Sequence, residues 1–362
     1  MTETWVRNCW YVAAPAHEIG RELLARTFLN TPVVLFRRED GTAVALEDRC
    51  SHRFLPLSKG FLVGDRVQCG YHGMEFGCDG ACEHVPGQKS RPPGADIKSF
   101  PIAEKWQFVW IWMGDAELAD EDLIPDIPRN DHPDWTPIVG DTLYIRGDYR
   151  LFLDNLMDPS HVSFVHRTTL GTDDVAEIPQ IASQDGDVVK VTRWILDRPV
   201  APVYAKVSKL TRFGEFKDNV DRWQIMTFTA PHMVEVDMGS CLAGTGALDG
   251  DRSQGFELYS YNLITPETEK TSWYFWSHTR PFAHDNQELT DTIRANFIEA
   301  FMEDIDVIEG VQAGLDRHPH LTPVNIGVDG GAIRARRVIG KMIAEEEDLI
   351  AEQDAAQVHA AE

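Results

Sequence analysis

Cys50-Ser51-His52 and, sixteen residues further on, Cys69-Gly70-Tyr71-His72 set two thiols and two imidazoles at short, matching intervals. C-x-H paired with C-x-x-H is the ligand pattern of a Rieske [2Fe–2S] cluster, with Cys50 and Cys69 on one iron and His52 and His72 on the other. Neutral imidazoles in place of two thiolates make such a cluster less negative and easier to reduce, so the pattern implies one-electron transfer. A zinc finger keeps its cysteines together and its histidines together. Here Cys and His alternate within each half.

A second constellation runs Asn155-Leu156-Met157-Asp158-Pro159-Ser160-His161-Val162-Ser163-Phe164-Val165-His166. The histidines stand five positions apart, which on an ideal helix separates them by about 140°. To share one metal they need a distorted helix, a π-bulge or a helix end. Asp158-Pro159 supplies a helix start, with Asp as N-cap and Pro at the first helical position. Two His and one distant carboxylate would form the facial triad of a non-haem Fe(II) oxygenase, which leaves positions open for O2. Alone, a His pair is more often core or surface; a cluster upstream, which needs somewhere to send electrons, tips the reading to metal. Phe301-Met302-Glu303-Asp304-Ile305-Asp306 offers three carboxylates. Spacing does not choose among Glu303, Asp304 and Asp306, and a solvated acidic helix face is the plainer reading of that run.

The first third reads as short strands that carry the cluster loops. Thr31 to Phe36 is apolar and β-branched, Asp40-Gly41 is a hairpin turn signal, and Ala43 to Asp48 leads into Cys50. Val67-Gln68 leads into Cys69, Met74-Glu75-Phe76 leaves the second half-site, and Phe108 to Met113 is a buried strand. Residues 119–140, with Pro125, Pro128 and Pro133, read as a linker between a domain over 1–118 and one over 141–350. Strand-like stretches follow at Val188–Val191, Trp223–Phe228 and Trp273–Trp276, then a helix from Glu288 to about Leu315. Gly330-Gly331 reads as a break before a helix from about Ala332 to Ala351, and 351–362 as a frayed tail.

A net charge of −24 argues against nucleic acid or anionic lipid as a partner. There is no run of eighteen apolar residues and no basic-then-apolar start, so the expected compartment is the cytoplasm, with no membrane association. Cys9, Cys78, Cys82 and Cys241 form no convincing disulfide framework; Cys78 and Cys82 read as free thiols in a turn. No G-x-G-x-x-G follows a strand and no further Cys-rich cluster motif occurs, so nicotinamide and flavin must sit on another protein.

The chain resembles the Rieske non-haem iron oxygenases, in the branch of vanillate O-demethylase oxygenase components that includes dicamba monooxygenase. Besides the two metal motifs, the resemblance rests on Asn8–Ala13, Asp148–Leu151, Asp154–Asp158, Ile264–Glu267, Trp273–Trp276 and Arg336–Ile339. It implies an α+β chain: an N-terminal all-β Rieske [2Fe–2S] domain, then a helix-grip-like α+β catalytic domain with an antiparallel sheet and C-terminal helices. It implies His161, His166 and Asp304 as mononuclear iron ligands, with Asp306 as fallback. Asn155 would lie close to that iron. Asp158 would bridge, hydrogen-bonding His161 and the partner subunit's His72 in a head-to-tail homotrimer. The implied function is a terminal oxygenase component that O-demethylates a methoxylated aromatic acid such as vanillate to a phenol (protocatechuate) and formaldehyde. Its cofactors would be the cluster, Fe(II) and O2, with NADH acting through a separate flavin and ferredoxin-type reductase. The alternative is a ring-hydroxylating or N-demethylating member. Candidate pocket residues are Phe228, Tyr261 and Trp273, with Arg222 and His232 for an acid or phenol group. The loop from Gly87 to Ile97 and the pair Pro159-Ser160 depart from the vanillate pattern.

Overall fold

The structure is a computed structural model that describes residues 4–167, 171 and 177–361, with side chains through 352. It divides into two compact units, Met1–Ile124 with Thr265–Glu269, and Pro125–Ile264 with Lys270–Glu362.

The first unit is built from short antiparallel strands. One three-stranded sheet has the order β1-β10-β9 (Trp10–Pro15, Phe108–Trp112, Ile102–Lys105), and a second joins β2, β3 and β4 (Leu24–Phe28, Thr31–Arg37, Ala43–Glu47). A four-stranded sheet runs β5-β6-β7-β8 (Phe61–Val63, Arg66–Gln68, Glu75–Phe76, Cys82–His84). Apolar side chains of β3, β4, β6 and β7 close a core around Val34, Phe36, Leu46, Val67 and Phe76, and Cys50 and Cys69 are buried in that same core. The segment Thr265–Glu269 belongs to this unit through main-chain bonds: Leu29 N–H donates to Pro266 O, and Asn30 N–H to Glu267 O. The Thr265 hydroxyl donates to Val12 O at 2.8 Å.

The second unit is organised on one eight-stranded sheet of order β11-β18-β17-β16-β15-β14-β13, with β12 also pairing β18. These strands are β11 Thr136–Val139, β12 Leu143–Ile145, β13 Ile181–Asp185, β14 Val188–Arg198, β15 Val220–Thr229, β16 Met233–Leu242, β17 Gly255–Thr268 and β18 Thr271–Arg280. The helices are α1 Tyr149–Leu156, α2 Val162–Val165, α3 Pro202–Lys209, α4 Gln287–Arg317 and α5 Gly330–Ala361. Helix α1 starts because the Asp148 carboxylate caps Arg150 N–H, and it buries Tyr149, Phe152 and Leu153 at helical spacing. Helix α4 is capped by Asn286, and its buried stripe is Leu289, Ile293, Phe297, Ala300, Phe301, Asp304, Ile305 and Ile308. Two stretches that carried the resemblance meet here: Arg336 on α5 grips Asp154 on α1 with both ends of its guanidinium.

Three expectations change. The stretch 119–140 is more than a linker, because it contains two short 3-10 turns and β11, which pairs with β18 through Thr136↔Arg280 to Val139↔Ser277. Extended Thr and Val side chains suit an edge strand in spite of the neighbouring prolines. Gly330 and Gly331 open α5 and do not interrupt it. The helix needs glycine there because a Cβ on Gly331 would stand 2.4 Å from a Val191 methyl and 2.9 Å from Met157 O. The tail expected to fray from Ala351 continues as helix to Ala361, in keeping with its Ala-, Glu- and Gln-rich composition. Gly331→Ala should therefore destabilise the second unit by about 1–3 kcal/mol through overpacking against β14. Chemical denaturation would read this, and an unchanged midpoint would show that α5 shifts freely to make room.

Candidate functional site

The first half of the candidate site is a pair of loops built alike. Cys50 N–H donates to Leu55 O and Phe54 N–H to Cys50 O; in the second loop Cys69 N–H donates to Met74 O and Gly73 N–H to Cys69 O. In each, the residue four past the Cys turns through the left-handed region, Phe54 at φ 57° and Gly73 at φ 72°. The matched turns bring Nδ1 of His52 to 3.1 Å from Nδ1 of His72. Two ring nitrogens that face each other so closely are suited to one cation between them. Behind them Cys50 and Cys69 are buried while the His pair is exposed. Burial pushes the Cys50 thiol up; the main-chain N–H of His52 opposes this by hydrogen-bonding the sulfur, and Cys69 lies beside it. The donor set, S2 inside and N2 outside, fits a Rieske cluster. The outward histidines would be its exit for electrons.

The second half sits in the other unit. Asp158 caps a 3-10 turn, Pro159–His161, with its carboxylate on Ser160 N–H, and α2 adds a single turn that ends at His166. This helix end is what lets histidines five apart face one point. His161 Nε2 lies 3.4 Å and His166 Nε2 3.1 Å from the same oxygen of Asp304 on α4. The ligand atoms of these three residues all lie within 4.8 Å of one another. Around one metal at about 2.0–2.2 Å, neighbouring ligands stand about 3 Å apart, so the group fits an ion with little movement. Asn155 donates from Nδ2 to that Asp304 oxygen at 3.1 Å, while its own Oδ1 is buried with no hydrogen-bond partner among the described residues. Asp306 is exposed and stands outside the group.

The histidines differ electrostatically. Burial pushes His161 below the ordinary value, with Asp304 acting against it. At His166 burial also works against the charged ring, but Asp304 and Glu303 together outweigh it and raise the pKa. Asp158 does not meet His161 through its carboxylate, as the resemblance implied. His161 Nδ1 meets the main-chain oxygen of Asp158, while the carboxylate accepts from Ser160 N–H, Ser160 O–H and Gln180 Nε2. A side chain occupied as an N-cap points away from the ring three residues on.

A cavity of about 90 Å³ opens onto the His161–His166–Asp304 group. Its walls are Met226 on β15, Val236 and Met238 on β16, Ser260 and Asn262 on β17, Tyr204 on α3, and Phe297 and Phe301 on α4, with Gln224 at one side. Strands and final helices supply it, but through other residues than Phe228, Tyr261 and Trp273. Phe228 is wholly buried. Tyr261 turns to the opposite sheet face, where its hydroxyl accepts from Arg129, and Trp273 packs on Tyr144. Arg222 and His232 are buried but do not line the cavity.

The family model for the vanillate O-demethylase oxygenase C-terminal domain matches residues 145–345, and that for the Rieske [2Fe-2S] domain matches residues 9–101. The chain belongs to the vanillate O-demethylase family of Rieske oxygenases. It is 40% identical, over 93% of its length and 97% of the relative's, to a putative toluene-4-sulfonate monooxygenase system iron-sulfur subunit of Comamonas testosteroni. It is 37% identical to the vanillate O-demethylase oxygenase subunit of a Pseudomonas species, over 94% of this chain and 96% of that one. The crystal structure of dicamba monooxygenase bound to dicamba superposes with a TM-score of 0.85 at 32% identity, covering 95% of this chain and 99% of the other. This Rieske oxygenase is thus the oxygenase component of a multicomponent non-haem iron monooxygenase, working with a [2Fe–2S] cluster, Fe(II), O2 and electrons drawn from NADH. Among the described residues, no helix is long and apolar enough to cross a membrane.

Spacing alone does not single out Asp304, although the sequence carries a signal for it. Asp304 falls at i+3 from Phe301 and i−4 from Ile308, inside the apolar stripe of α4, and an acid there must have a partner. Gln180 and Ser160, which hold the Asp158 carboxylate, carry no comparable signal.

Proposed function

We propose that this oxygenase O-demethylates a methoxylated aromatic acid such as vanillate, giving the phenol (protocatechuate from vanillate) and formaldehyde. The observation that carries the reading is a two-His, one-carboxylate group set in the wall of a largely apolar cavity rimmed by Tyr204, Phe297 and Phe301. His161, His166 and Asp304 would hold Fe(II), and Cys50, His52, Cys69 and His72 the cluster. Bound iron supplies the O2 chemistry that hydroxylates the methoxy carbon. The balance is methoxyarene, O2, two electrons and two protons to phenol, formaldehyde and water.

The chain's own residues do the rest. Main-chain oxygen at His161 and carboxylate at His166 hold both Nδ1 atoms as donors and leave both Nε2 atoms to face the metal. Asn155 keeps Asp304 turned toward them. Phe297 and Phe301 pack an arene and exclude water; Gln224, Ser260 and Asn262 offer neutral hydrogen bonds to its polar substituents. A cavity that holds benzene measures about 150 Å³. At about 90 Å³ this one must widen to admit the ring. The unbranched side chains of Met226 and Met238 can repack to do so.

Electrons come one at a time from a flavin and ferredoxin-type reductase. In a head-to-tail homotrimer in the cytoplasm, the cluster would pass them to the iron of a neighbouring copy, with the exposed His72 hydrogen-bonded to that copy's Asp158 carboxylate as the bridge. A second reading has one specific support, the 40% identity to a toluene-4-sulfonate system subunit: oxygenation of an aromatic sulfonate. The test is NADH-driven turnover with a surrogate reductase on methoxybenzoates, vanillate first, and toluene-4-sulfonate, measuring O2 uptake and formaldehyde together. Formaldehyde equal to O2 consumed supports O-demethylation. Coupled O2 uptake on the sulfonate alone, without formaldehyde, supports the second reading.

A further inference from the structure

We infer that Glu303 is a positioning residue for the iron site, acting through His166 to make the two histidine ligands unequal. The inference rests on the iron reading given above and goes beyond its ligand set. Glu303 Oε2 meets His166 Nδ1 at 2.7 Å, while Asp304, the next residue of α4, meets Nε2 of the same ring at 3.1 Å. Successive side chains on a helix diverge by about 100°. One imidazole is therefore gripped edge to edge by two adjacent carboxylates. An ionised carboxylate only accepts, so the Glu303 contact fixes the proton on Nδ1 and leaves the Nε2 lone pair for a metal.

His161 reaches the same tautomer by weaker means. Its Nδ1 faces the main-chain oxygen of Asp158, a neutral acceptor. An anionic partner raises the basicity of a ligand imidazole more than a neutral one does, so His166 becomes the stronger donor to the metal. The local backbone explains why a carboxylate is placed there. His166 caps a one-turn helix at φ −99° and ψ 40°. Its main chain is tied by Gly171 N–H to His166 O and by His166 N–H to Val162 O. These bonds hold the Cα but leave the ring orientation to side-chain partners. Glu303 is half-buried beside a 1% exposed imidazole, so solvent screens the contact little.

The experiment is anaerobic Fe(II) titration of the full chain, with the visible absorption of the Rieske cluster as the control for folding and the EPR spectrum of the nitrosylated Fe(II) site as the second readout. Glu303→Ala should raise the Fe(II) dissociation constant about 10–100-fold and change the rhombicity of the nitrosyl signal. Glu303→Gln still offers an acceptor oxygen and should lie between wild type and Glu303→Ala in both readouts. It keeps the test alive if the alanine variant fails to load its cluster. Wild-type affinity and an unchanged nitrosyl spectrum in both variants would overturn the inference. Failure of the underlying reading looks different: wild-type chain would then take up no Fe(II) that His161→Ala abolishes.

Discussion

His161→Ala should reduce NADH-driven turnover to background while the Rieske cluster keeps its visible spectrum. The cluster loops lie in the first unit and close on their own main-chain bonds. In the second unit the substitution removes one of three converging ligand atoms and leaves His166 and Asp304 as a bare pair. Two protein ligands hold Fe(II) poorly against water, and the open face needed for O2 depends on the third. Metal analysis would show loss of the mononuclear iron with labile sulfide retained. Turnover near the wild-type rate would remove His161 from the ligand set.

Asp158→Asn should have nearly as large an effect with both metal centres intact. Asn caps a helix about as well as Asp, so the bond to Ser160 N–H and the 3-10 turn that presents His161 survive. His161 meets the main-chain oxygen of residue 158, which the substitution leaves alone. What is lost is the negative charge, and the amide also brings a donor toward the hydroxyl of Ser160 and the amide of Gln180. If the carboxylate receives a cluster histidine of a neighbouring copy, transfer from reduced cluster to iron should slow by about 100-fold, at the upper end of what partners of metal ligands contribute. Stopped-flow reoxidation of pre-reduced protein, with substrate and O2, reads this step apart from the reductase. A wild-type reoxidation rate would remove Asp158 from the electron path.

The parts of the site legible in the sequence are those whose residues are local. Cys50 and His52, and Cys69 and His72, sit at single strand ends, so their spacing encodes their geometry. The same holds for Asp158-Pro159 and the helix end that turns His166 toward His161. Long-range partners were harder: Glu303 lies 137 residues from His166, and only the folding of α4 against α2 brings them together. Tyr261 shows a different limit. Strand alternation says that Tyr261 faces away from Ser260 and Asn262, but not which set faces the cavity, and a parity error of one residue exchanges the whole wall. Aromatic character favours Tyr261, whose hydroxyl instead accepts a hydrogen bond from Arg129 away from the cavity. The same limit hid β11 inside a proline-rich stretch, since pairing with β18 and not local composition makes it a strand.

The claim on which the rest depends is that one chain carries two iron centres of different kinds. Iron and acid-labile sulfide, measured on anaerobically loaded wild-type protein, test it most directly. The expected result is about three irons and about two sulfides per chain, from a two-iron cluster and one mononuclear site. Two irons and two sulfides in protein that still consumes O2 and releases product would contradict it, because the second unit would then work without metal at His161, His166 and Asp304.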